Sequence, residues 1–178
     1  TSHGSEKHRF SLEMYPLSFN ELTPAVLRGA LDESGIKNRV IVVSACYSGG
    51  FIEPLKDQNT LVISASAADR NSFGCGNENE WTYFGKAFFD EALRKTTSFS
   101  TAFQEARPVI AEREKAQDFR PSDPQIAEGV HIRQTLARLD AQLAGAPAQP
   151  EKVVAKNRGS DAASRYAELI YDDRYFET

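Results

Sequence analysis

Two stretches of unbroken apolar residues stand out along a mixed chain: Val40 to Ser44, and TLVISA over 60–65. Runs of this length without alternation predict strands buried on both faces of a sheet. The segments around them repeat at helical spacing instead. Leu27, Ala30 and Leu31 form a stripe in a segment that opens with Thr23 as N-cap and Pro24 in the first helical position, and stops at Gly35. Phe84, Ala87, Phe88 and Leu93 mark a second helix in WTYFGKAFFDEAL, after a Gly/Asn/Ser-rich loop from Asp69 to Glu80. A third helix is predicted over 101–115, kinked at Pro108. Residues 124–130 fit a short edge strand, and Ile132, Leu136, Leu139 and Leu143 predict a last amphipathic helix ended by Gly145.

Strands alternating with helices predict an α/β fold: a three-layer α/β/α sandwich around a mainly parallel sheet. At 178 residues the chain is long enough to bury its own core. One domain is expected over 1–145, followed by a linker (GAPAQP) and a tail that together fill 146–178. Within the tail, 165–175 is helical in pattern, with Tyr166, Leu169 and Ile170 on one side. No internal repeat is visible.

Composition narrows the function classes. A net charge of −4, with the cations scattered, argues against a nucleic-acid partner, which calls for a basic face. No apolar run reaches the roughly 18–20 residues that span a bilayer, and no signal-peptide pattern opens the chain. A soluble domain is expected. The chain begins abruptly at Thr1-Ser2-His3-Gly4 and reads as excised from a longer one. Two cysteines, Cys46 and Cys75, are too few for a disulfide framework and leave the redox compartment open.

The chemistry gathers at VIVVSACYSGGF, residues 40–51. Cys46 closes a buried strand, and reactive groups of parallel sheets collect at the carboxyl ends of strands. A free cysteine ordinarily just packs. Here the following Tyr47-Ser48-Gly49-Gly50 lets a backbone come close to a ligand. A phosphate loop would need further glycines or a Lys-Ser/Thr pair. A phosphatase loop would need arginine where Ile52 stands, and a redox pair would need C-x-x-C, whereas Cys75 is far along the chain. Zinc calls for paired ligands, a spacing that His3, His8, Cys46 and Cys75 do not show, so neither metal nor cofactor is expected. A thiol nucleophile needs a base. His8 lies among charges and His131 in the distal helix, both fitting surface positions. His3, in TSHGS, has small neighbours and would reach Cys46 if the two stand at neighbouring strand ends.

TSHGS at 1–5, the strand and turn at 40–50, and ASAADRNSFGCGNENEWTYFGKAFFDEAL at 65–93 together resemble the legumain-type cysteine peptidases of caspase-like fold, especially their bacterial members. The resemblance implies an endopeptidase with His3 as general acid/base and Cys46 as nucleophile. It implies that the oxyanion sits on the backbone N–H groups of Gly4 and Cys46. Substrate would be read by Tyr47, Ser48, Asn71, Ser72 and Lys86. Legumains place acidic residues where this chain has Tyr47 and Lys86, which points away from asparagine and toward an acidic side chain before the cut bond, unless Asp69, Glu78 or Glu80 neutralises the lysine. Asn71 and Ser72 keep the matching loop position. The implied partners are a peptide or protein substrate and an N-terminal segment carrying the strands that this fold places before the histidine; without it the fragment would be inactive. The parent protein's location stays open, membrane-anchored and exported bacterial forms both fitting. Two rivals remain: a non-catalytic caspase-like binding or scaffold module, and a thiol enzyme acting on a small molecule. Serine esterase chemistry lacks its G-x-S-x-G around Ser48.

Overall fold

The structure, a computed structural model, describes residues 1–12, 21–76 and 79–145. The expected linker and tail over 146–178 lie outside the described residues, as does Glu78.

Local signals set the first helix, α1 (Pro24–Glu33). The Thr23 hydroxyl accepts from the Val26 N–H at 3.2 Å, so one of the helix's unpaired amides is satisfied. Gly35, just past the end, takes φ +70°, a conformation that costs any residue with a Cβ. Leu27 and Leu31 pack toward the core while Ala30 is exposed, so the apolar stripe is narrower than its spacing predicts. The Arg39 guanidinium donates to the Leu31 carbonyl at 2.7 Å and to that of Ile36 at 2.6 Å, tying the helix end to the next strand.

That strand, β3 (Arg39–Val43), runs parallel to β4 (Thr60–Ser64), with Arg39 opposite Thr60 and Val43 opposite Ser64. Parallel strands need a crossover, supplied by a tight turn at Ser48–Phe51 and the short helix α2 (Ile52–Leu55). β5 (Gln125–Glu128) pairs with the other side of β4, antiparallel. The described sheet is therefore mixed, not mainly parallel as expected. The cause is the loop before β5: the Ser122 carbonyl accepts from the Ala67 N–H at 2.8 Å, anchoring the loop at the carboxyl end of β4. The chain enters the sheet from that end and must run back. A separate two-residue pairing, β1 (Phe10–Ser11) with β2 (Glu21–Leu22), has no counterpart in the sequence pattern.

β4 is buried throughout and alternates between two apolar clusters. Leu61 and Ile63 join residues from three helices: α3 (Tyr83–Gly85, continuing as a π-helical stretch over Lys86–Ala92), α4 (Phe99–Ala116) and α5 (Val130–Gly145). Phe84, Phe88, Phe103 and Ile110 are the large members, each contributing roughly 1.5–3 kcal/mol by burial. Val62 faces the other way, onto Val43, Phe51, Leu55, Leu27 and Leu31. α5 is bound to the body through Ile132 and Leu136, and its Leu139 and Leu143 are exposed. Among the described residues no helix is long and apolar enough to cross a membrane.

Candidate active site

β3 delivers its carboxyl end to a turn whose shape is held from several directions. Tyr47 adopts φ 57°, the left-handed region, which costs a non-glycine residue roughly 1–2 kcal/mol. The bonds around it hold that conformation. The Tyr47 N–H donates to the Arg70 carbonyl at 2.7 Å, and the Tyr47 carbonyl accepts from the Gly50 N–H at 3.2 Å. His8 Nδ1 lies 3.1 Å from the same carbonyl, which requires the proton on Nδ1 and leaves Nε2 as the open nitrogen. Beneath the turn, the Ser66 hydroxyl donates to the Ala45 carbonyl at 3.2 Å, and the Ser48 N–H donates to the Ser66 hydroxyl at 3.3 Å.

Cys46 is half-buried, and the backbone of Ser72 grips its sulfur. The thiol donates to the Ser72 carbonyl and Sγ accepts from the Ser72 N–H, both at 3.3 Å. The first residues of the chain run alongside this end of β3. The Ser2 N–H donates to the Ser44 carbonyl at 3.2 Å, and the Ser11 N–H donates to the His3 carbonyl at 2.9 Å. Between them Gly4 lies so close to Cys46 that a Cβ added there would stand 2.0 Å from the Cys46 carbonyl oxygen. Among the described residues neither the Gly4 nor the Cys46 N–H donates a hydrogen bond.

Two clefts flank these strands. One, of about 510 Å³, is lined by Glu6, His8, Tyr47, Arg70, Asn71 and Arg120, with Asp69 between the two arginines. The other, of about 400 Å³, takes in His3, Gly74, Cys75, Trp81, Thr82 and Phe89. No group of three or more His, Cys, Asp or Glu side chains able to hold a metal ion is present among the described residues.

The sequence pattern of the peptidase C13 family matches residues 1–129, nearly the whole of the described body. The chain belongs to the peptidase C13 family. This is the legumain family of cysteine peptidases. No curated protein matches the chain.

The residues expected to form the site of this C13 domain occupy different kinds of position. His3 is exposed in its cleft, and the chain carrying it lies beside the strand end that carries Cys46. Tyr47 and Asn71 line the larger cleft. Burial and the nearby Glu6 carboxylate push the Tyr47 phenol up from its ordinary value. Ser72 acts through its backbone, on the sulfur. Ser48 is fully buried, so its expected role in touching substrate is corrected: its hydroxyl accepts from the Ser66 N–H at 3.2 Å and shapes the turn. Lys86 lines neither cleft, and its ammonium is hydrogen-bonded to Asp90. The lysine thus has a carboxylate partner on its own helix.

The glycines also differ from expectation. A Cβ on Gly49 would meet the Ala68 nitrogen at 2.4 Å, and one on Gly50 the His8 ring at 2.1 Å. Both positions serve close packing of the chain against itself. His8, Arg70, Arg120 and Cys75 reach the clefts although the sequence reading gave none of them a part in the site. His8 reads as one charge-flanked residue among many, and Cys75 as remote from Cys46.

Proposed function

We propose that this C13 domain is a cysteine endopeptidase with Cys46 as nucleophile and His3 as general acid and base. The observation that carries the reading is the packing of Gly4 on the Cys46 carbonyl, with neither N–H donating a hydrogen bond among the described residues. Cys46 Sγ attacks the scissile carbonyl carbon as its proton passes to the His3 ring. The carbonyl oxygen takes up negative charge and is received by the N–H groups of Gly4 and Cys46, donors that need no reorganisation. Collapse breaks the C–N bond, and the imidazolium gives its proton to the leaving amine. Water then attacks the acyl-thioester while His3 takes its proton, and the thiol returns as the acid leaves.

Tyr47 and Asn71 are the reading surfaces for a peptide in the larger cleft. A lysine already bonded to a carboxylate supports a smaller part for Lys86 in selectivity. Among the described residues no strand pairs with the outer edge of β3, and Ser2 bonds only Ser44 just past its end, which supports a further strand there, completing a three-layer caspase-like sandwich and steadying His3.

The deciding experiment uses a thiol-reactive peptide probe, an acyloxymethyl ketone or an epoxide, followed by mapping of the modified residue. Labelling of Cys46 is expected, is lost in Cys46→Ala, and is slowed roughly 10²–10⁴-fold in His3→Ala. A native chain whose Cys46 reacts with iodoacetamide but never with the peptide probe would refute the peptidase reading and favour a scaffold.

A further inference from the structure

The hydrolytic reading leaves Cys75 unused, yet the fold holds its loop against the nucleophile through Ser72. Ser72, whose backbone holds Cys46 Sγ at 3.3 Å from both sides, precedes Cys75 by three residues. Three residues of chain reach at most ~10 Å. Cys75 is exposed and lines the same cleft as His3. Glycines stand on both sides of it: Gly74, at φ +86°, packs against the Thr82–Tyr83 backbone, and a Cβ on Gly76 would touch only the Asn79 side chain, at 3.6 Å.

The two sulfurs stand in different surroundings. Cys46 is held by the Ser72 backbone, donating to its carbonyl and accepting from its N–H. Cys75 is pushed up by burial and by the charge of Cys46, so it stays protonated at neutral pH. Peroxides attack thiolates, which makes the raised Cys75 the poorer target and leaves Cys46 as the first site of oxidation.

We propose that Cys46 and Cys75 form a reversible disulfide that protects and silences the nucleophile under peroxide. In the first step the Cys46 thiolate attacks one oxygen of hydrogen peroxide. The O–O bond breaks, sulfur loses two electrons, and Cys46–SOH and hydroxide leave as products, the hydroxide taking a proton to become water. In the second step the Cys75 sulfur attacks the Cys46 sulfur. The S–O bond breaks, the S–S bond forms, and the hydroxyl leaves as water with the Cys75 proton. A dithiol reductant returns both thiols. This inference goes beyond hydrolysis and is read without any substrate, so its failure and that of the peptidase reading are separable.

The test treats the full chain with a small excess of hydrogen peroxide, caps free thiols with iodoacetamide, and maps tryptic peptides without reduction. The expected product joins peptide 40–56 to peptide 71–86 within one chain, with a mass about 2 Da below their sum and no capped thiol. Dithiothreitol separates them. In Cys75→Ser and Cys75→Ala, both changes at an exposed site, peptide 40–56 instead gains about 32 or 48 Da as the sulfinic or sulfonic acid. The proposal is overturned if Cys46 over-oxidises as fast in the native chain as in the variants. It is equally overturned if Cys46 is untouched, or if linkage occurs only between two chains.

Discussion

Replacing Gly4 by alanine probes the juxtaposition on which the site depends. The new Cβ would stand 2.0 Å from the Cys46 carbonyl oxygen, 3.1 Å from the Cys46 carbonyl carbon and 3.2 Å from the Ala45 Cβ. Real Cβ contacts stay above 3.0 Å, so the two segments must part by about 1 Å. A shift of that size takes the Ser2 N–H beyond hydrogen-bonding range of the Ser44 carbonyl, now 3.2 Å away, and loosens the bond from Ser11 to His3. Two such bonds are worth about 1–3 kcal/mol together. The melting temperature should then fall by roughly 2–10 °C. Chemistry should suffer more, since a 1 Å misplacement costs about 10²-fold. Labelling of Cys46 by a peptide probe, measured beside labelling by iodoacetamide, separates the two effects: the first rate drops about a hundredfold, the second little. A variant labelled by the peptide probe at the native rate would refute the reasoning.

Three further outcomes follow from the packing and the charges. Gly29, inside α1, has nothing within 4 Å of its added Cβ, so Gly29→Ala should stabilise by about 0.5–1 kcal/mol, seen as a small rise in melting temperature. Phe88 is fully buried and stacks on Phe84 with centroids 5.3 Å apart, so Phe88→Ala should cost about 3–5 kcal/mol in denaturant unfolding; a loss under about 1 kcal/mol would contradict the core described. The Cys75 thiol is raised first by burial and then by Cys46, so its alkylation midpoint should lie on the alkaline side of a free cysteine's. Cys46→Ala should bring that midpoint partway back, and a full return would show that the charge, not burial, dominates.

Where the determinants are local, the sequence was enough. Thr23, Pro24 and Gly35 mark the ends of α1 by rules that act within a turn, and the two apolar runs become β3 and β4, although only β4 is buried throughout and β3 stays partly buried up to Val42. The direction of β5 was out of reach, because it is set by where Ser122 is anchored, on a residue distant in sequence. β1 and β2 are two residues each, too short for any period to register. The glycine pair after Cys46 was legible as a place of close approach, but not what approaches, since the His8 ring and the Ala67–Ala68 backbone arrive from elsewhere in the chain. Cys75 was hidden for the same reason. The contacts of Ser72 with the Cys46 sulfur, which bring the Cys75 loop to the end of β3, join residues 26 apart in sequence.

The turn at Tyr47 also ties the site to the completeness of folding. Its left-handed backbone is held by His8 from the start of the chain and by Arg70, whose own guanidinium donates to the Pro121 carbonyl at 3.1 Å. β3, α2 and β4 are contiguous and can assemble early, while these fastenings arrive from residues dozens of positions away on either side. A nascent or half-assembled copy would hold the sulfur without the frame around it. The surroundings of Cys46 are thus complete only once the last long-range contacts have closed.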